Sequence, residues 1–167
     1  NQNKNKFSVK KVKSLESTQK FYNDSQGISA VELKEFSLLY LLLNNLSLFQ
    51  SNAHLVENIK LFTEINKQIF NSVIDKLKSN ETIDIEKLNF DKQLLDKINK
   101  FAPIKHILKN KPKNDNQVIE LLDDISKDLF NHDLELRIQE LESKFSEDLS
   151  ETTFNEIKEL KNERKTN

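Results

Sequence analysis

The groups in this chain that could transfer protons or hold a metal are three histidines and a large acidic complement, with no cysteine. Such groups act only when they converge, so their spacing decides what they can do. His54, His106 and His132 lie far apart, and none has a second histidine four residues away, the spacing that brings two imidazoles onto one helix face. His132 falls in the polar run Asn131-His132-Asp133 and reads as a solvated or hydrogen-bonded side chain rather than a ligand. The close acidic pairs Asp123-Asp124 and Glu140/Glu142 would point to different sides of a helix, which makes a solvated face rather than a metal site. A single glycine leaves no Gly-rich loop to cradle phosphate, and no G-x-S-x-G nucleophile elbow is present. The segment therefore reads as having no catalytic residues, no metal site and no cofactor.

Without cysteine there is neither a disulfide framework nor a Cys-rich zinc site, so nothing requires an oxidising compartment and a cytoplasmic location is the default. The longest apolar run, Leu38 to Leu43, falls far short of the roughly 20 residues that span a bilayer. The N-terminus has no secretory core, so no membrane association is expected. The absence of methionine suggests a piece of a longer polypeptide.

The net charge of −1 hides segregation. Lys4, Lys6, Lys10, Lys11 and Lys13 make the start basic. Lys100, Lys105, Lys109, Lys111 and Lys113 lie in an acid-free stretch from Asn99 to Asn114, and acids dominate from Asp115 to Glu151. Each lysine group reads either as a solvated linker or loop, or as a contact for nucleic-acid phosphate or an acidic peptide. Base reading has no support, since RGG repeats, interleaved aromatics and recognition motifs are all missing.

The elements that would position these groups are all helical. With 36% hydrophobic and 32% charged residues, one Gly and two Pro, 167 residues predict an all-α chain of one or two small domains. Residues 1–28 read as a linker with room for a short helix, ended by Gly27. Ser29 and Glu32 have capping-box spacing and open a first helix through Asn44, apolar all round at Leu38 to Leu43 and therefore the centre of a bundle. Asn44-Asn45 breaks it, and Leu46, Leu48 and Phe49 predict a short turn of helix. Phe62, Ile65, Ile69, Val73 and Leu77 recur at three- and four-residue steps, predicting an amphipathic helix from about Asn58 to Lys78. A shorter helix carries Leu94, Leu95, Ile98 and Phe101 and stops near Ala102, because Pro103 disfavours helical geometry in the residue before it. Ile104 to Leu108 make one more turn.

From Asp115 to Ser146 neither Pro nor Gly intervenes, predicting one long helix. Its apolar stripe changes side: Val118, Leu122, Ile125 and Leu129 lie about 160° from Leu134, Ile138, Leu141 and Phe145 at ~100° per residue. The first half can close the bundle over 29–130. The second half, with a final helix capped by Ser150 and carrying Phe154, Ile157 and Leu160, predicts a hairpin over 131–167. A two-helix unit hides apolar surface poorly, so part of the hairpin is expected to stay uncovered, rimmed by Lys144, Lys158, Lys161 and Arg164, as a protein docking site.

The succession L-L-Y-L-L-L-N-N-L-S-L (Leu38 to Leu48), F-T-E-I-N-K-Q-I-F (Phe62 to Phe70), D-L-E-L-R-I-Q-E-L-E (Asp133 to Glu142) and L-S-E-T-T-F-N-E-I-K-E-L (Leu149 to Leu160) resembles the C-terminal domain of bacterial DnaG-type primases, from about Ser29 to the last residue. The resemblance implies a helical bundle, a long connecting helix and a C-terminal hairpin that binds the N-terminal domain of the hexameric DnaB-type replicative helicase. On that implication Leu134, Arg137, Ile138, Phe154, Ile157, Lys158, Leu160, Lys161, Asn162 and Arg164 are the expected helicase contacts. The parent's primer-synthesising domains, with their zinc and magnesium, would lie upstream, so this segment would itself be no enzyme. Some members also hold the acidic tail of single-stranded DNA-binding protein on a basic patch of the bundle. Lys34 between Glu32 and Glu35 supports that weakly, and the Lys100 to Lys113 segment is the alternative source of charge. The sequence departs from the family at Asn45-Leu46, where many members have Asn-Pro.

Two other readings remain open at this level. One is the N-terminal assembly domain of the helicase itself, which would self-associate. The other is a helical nucleic-acid-binding domain using the lysine segments, which the near-neutral total charge disfavours.

Overall fold

In the computed structural model, residues 23, 25–79, 90–109 and 114–166 are described. They form seven α-helices and no strand: α1 (Ala30–Asn44), α2 (Leu46–Ser51), α3 (Glu64–Lys78), α4 (Lys92–Phe101), α5 (Ile104–Lys109), α6 (Asp115–Glu147) and α7 (Glu151–Thr166), with a 3-10 turn at Ala53–Leu55. The expected all-α architecture is what the chain adopts. Of the expected linker over 1–28, residues 1–22 and 24 lie outside the described residues, as do Lys111 and Lys113. None of the described helices is long and apolar enough to cross a membrane.

Helix α1 is the axle of the bundle. Gly27 takes φ 90°, a left-handed geometry suited to glycine, and turns the chain into Ser29, whose hydroxyl accepts from the Glu32 N–H at 3.0 Å. Phe36, Leu38, Leu39, Leu41 and Leu42 are fully buried, and α1 packs on α2, α3, α4, α5 and α6. A helix apolar on all sides can satisfy itself only by being surrounded in this way. Its end is made by two asparagines: the side-chain amides of Asn44 and Asn45 donate to the carbonyls of Tyr40 (2.8 Å) and Leu41 (2.7 Å), and Asn45 also starts α2.

Helix α3 begins at Glu64 rather than at the expected Asn58. The physical reason is Glu35, a fully buried carboxylate on α1. Its Oε1 accepts the backbone N–H groups of Phe62 and of Thr63 (3.0 Å), and its Oε2 accepts the Asn66 side-chain amide at 2.7 Å. A carboxylate from another helix thus serves donors at the start of α3 that have no intrahelical partner, and the chain before it stays non-helical while burying Val56 and Leu61. Helices α4 and α5 follow the reading: Asp91 caps α4 through the Gln93 N–H at 2.9 Å, and Ala102, with ψ 112°, ends it before Pro103.

Helix α6 runs unbroken for 33 residues, capped by Asn114 through the Asn116 N–H. Its buried residues divide between two apolar clusters. Val118, Leu122 and Leu129 join the bundle core, with Leu121 and Ile125 half-buried beside them, whereas Leu134 and Ile138 pack with Ile157 and Leu160 of α7. The change of side expected from the two stripes falls between Leu129 and Leu134. There α6 is braced by the segment before α3: Lys60 pairs with Asp133 at 2.6 Å, and the Phe62 ring meets the His132 imidazole edge-on with centroids 4.9 Å apart.

Candidate docking surface

Beyond Leu129 no buried residue of α6 belongs to the bundle core, and past the braces at His132 and Asp133 the helix packs with α7, which folds back along it. At 1.5 Å per residue, the stretch from Leu129 to Glu147 reaches roughly 27 Å. The turn Asp148-Leu149-Ser150 thus stands well away from the bundle. Ser150 occupies the position before α7 as expected: its carbonyl accepts from the Phe154 N–H at 3.0 Å, and its hydroxyl lies 2.6 Å from that of Thr152.

The hairpin holds itself together by a small apolar seam and two cross-helix ion pairs. Leu134, Ile138, Ile157 and Leu160 are each at least nine-tenths buried, with Leu141 and Phe145 partly covered beside them. Lys161 pairs with Glu142 at 2.5 Å and Arg164 with Glu135 at 3.7 Å. These pairs are exposed and contribute at most about 1 kcal/mol each, so the seam, not the charges, keeps α7 in place.

This geometry corrects part of the expected contact set. Leu134, Ile138, Ile157 and Leu160 were expected at a partner's surface, but the hairpin's own core occupies them, because the facing stripes of α6 and α7 cover each other. Lys161 and Arg164 are exposed but tied to acids of α6. Arg137, Phe154, Lys158 and Asn162 are exposed. The expectation of apolar surface left uncovered along the hairpin is therefore narrowed to Leu136 near its base, 37% exposed, and to its far end, where the exposure is greater. There Leu149 is 79% exposed and Phe154 53% exposed, the Phe154 ring lying against that of Phe145 with centroids 5.9 Å apart. Leu149 was not among the expected contacts. The available signal was a leucine placed in a non-helical joint, where a turn calls for polar residues and no core can reach it.

The bundle offers less. Lys34, considered for a basic patch, pairs with Asp128 at 3.0 Å. In the acid-free stretch, Lys105 donates to the Asn99 carbonyl at 2.6 Å and Lys100 lies 5.1 Å from the centre of the Phe101 ring. Local contacts thus engage both, while Lys109 ends α5. A groove of about 770 Å³ runs between the 55–60 segment and the first half of α6, with Ile59, Ile119 and the partly exposed Phe130 among its walls. His54 and His106 are exposed and His132 is half-buried against Phe62. Among the described residues no three His, Asp or Glu side chains are grouped so as to hold a metal.

Comparison of the chain with protein-family models, with characterised proteins and with solved structures finds no match. The functional reading accordingly stands on the residues and their geometry.

Proposed function

We propose that this chain is the helicase-docking domain of a bacterial DnaG-type primase, acting in the cytoplasm. On this reading the hairpin of late α6 and α7 binds the N-terminal domain of the hexameric replicative helicase. Tethering would raise the local concentration of the primer-synthesising domains at the fork, and no catalytic role falls to the segment. The sequence resemblance and the order of elements, a bundle followed by a long helix and a terminal hairpin, both support it. The observation that carries it is the far end of the hairpin: an apolar tip held away from the bundle on a helix with its own filled seam, a form suited to presenting a surface rather than to completing a core. Single-stranded DNA-binding protein is a weaker candidate partner, because Lys34 and Lys105 are engaged within the chain.

The test is co-elution. The intact chain, mixed with the hexameric helicase on a sizing column, is expected to shift into the hexamer peak. The chain lacking residues 150–167 is expected to elute alone. Absence of a shift by the intact chain overturns the reading, and a shift that survives the truncation overturns the placement of the contact.

A further inference from the structure

The charges around the hairpin tip narrow what can cover it. Phe145, Leu149 and Phe154 form an apolar end to the hairpin, and Asp148 in the turn and Glu147 and Glu151 on either side of it are all exposed carboxylates. Lys144 is the one cation in the stretch 144–151. Farther from the turn, Lys158 is exposed one helical turn beyond Phe154, and Lys161 and Arg164 are paired with Glu142 and Glu135, so that around the turn itself three carboxylates stand against one cation. The tip is thus an oily knob in an acidic collar. Two knobs brought end to end would set carboxylates against carboxylates, which disfavours a second copy of the chain as the occupant. An anionic bilayer would repel the collar for the same reason.

We propose that the tip seats in an apolar socket collared by lysine or arginine on a protein partner, with Leu149 and Phe154 as the anchors and Glu147, Asp148 and Glu151 as the pairing charges. This rests on the docking reading above and refines it, by assigning the contact to the turn rather than to the length of α7 and by stating the chemistry of the socket. Aliphatic and aromatic anchors in a desolvated centre carry the affinity. Rim charges add rate and orientation and are screened by salt.

The test is isothermal titration of the full chain into the hexameric helicase at low and high salt. Leu149→Asp is expected to weaken binding about tenfold or more, by placing a charge where the socket is apolar. The combined variant Glu147→Lys, Asp148→Lys and Glu151→Lys is expected to bind more weakly at low salt and to invert the salt dependence of the unmodified chain, because lysine facing a basic collar repels it and salt screens that repulsion. Because Leu149 is so exposed, Leu149→Asp should leave the circular dichroism spectrum and thermal transition unchanged, which separates lost contact from lost fold. If the intact chain binds and both variants bind as it does, the tip assignment is overturned while the helicase reading survives. If the intact chain does not bind, the helicase reading falls and the assignment with it. Self-association of the chain abolished by Leu149→Asp, or tip-dependent sedimentation with phosphatidylserine vesicles, would identify a different occupant and overturn the proposal.

Discussion

Glu35 shows how much one side chain can decide. It is a carboxylate with no solvent exposure, surrounded by three donors from a segment 27 to 31 residues further along the chain. Burying a charge is unfavourable unless hydrogen bonds replace its water, and here the replacement comes from the backbone at the start of α3 and from Asn66. Removing the carboxylate strands Phe62 and Thr63 N–H groups and leaves a void, so Glu35→Ala should lower stability by about 3 kcal/mol or more in denaturant unfolding. Glu35→Gln should cost less. Its remaining carbonyl can keep the backbone donors, and a flip of the Asn66 amide, whose Oδ1 is buried without a partner, would let the new NH2 group find an acceptor. Equal losses for the two variants would show that the capping bonds are not what matters at this position.

Among the elements, α6 and α7 are held by unequal means. The bundle core gathers apolar side chains from α1 to α6, whereas the hairpin relies on a seam centred on Leu134, Ile138, Ile157 and Leu160. Small units bury little surface, so α7 should open at lower free energy than α1. Leu160→Ala, which empties part of that seam at a cost of about 2–4 kcal/mol, should speed amide hydrogen exchange throughout α7 and leave the protection of α1 intact. A uniform loss of protection in both would mean that the hairpin and bundle unfold as one unit. Much of this layout was legible in the residues. The Ser29 cap, the stop at Pro103, the uninterrupted run from Asp115 and the change of stripe after Leu129 are all local signals, and local signals are what a sequence displays. The start of α3 was not legible, because its position is set by Glu35 across a long chain separation and no nearby residue betrays it. The hairpin contacts were half legible: periodicity identifies Leu134, Ile138, Ile157 and Leu160 as apolar-face residues but does not say whether a partner or the facing helix covers them. Leu149 escaped because it belongs to no stripe.

At the scale of the molecule, the chain is a supported lever. Its long helix is embedded in the bundle up to Leu129, braced where it emerges by Lys60 on Asp133 and Phe62 on His132, and ends in an apolar, acid-collared tip roughly 21 Å beyond the last of these braces. The same segment that Glu35 pins supplies both braces, so the bundle's internal polar network helps set the direction in which the tip points. The absence of cysteine allows the tip to be interrogated directly, since a single introduced thiol is unique. The decisive measurement is photo-crosslinking to the hexameric helicase from a benzophenone attached at Leu149→Cys, with Ser72→Cys on the exposed side of α3 as the control. Crosslinks from position 149 to the helicase N-terminal domain, competed by the unmodified chain and lacking from position 72, are the expected result. A complex that forms but yields no crosslink from position 149, or yields as many from position 72, would contradict a docking contact at the hairpin tip.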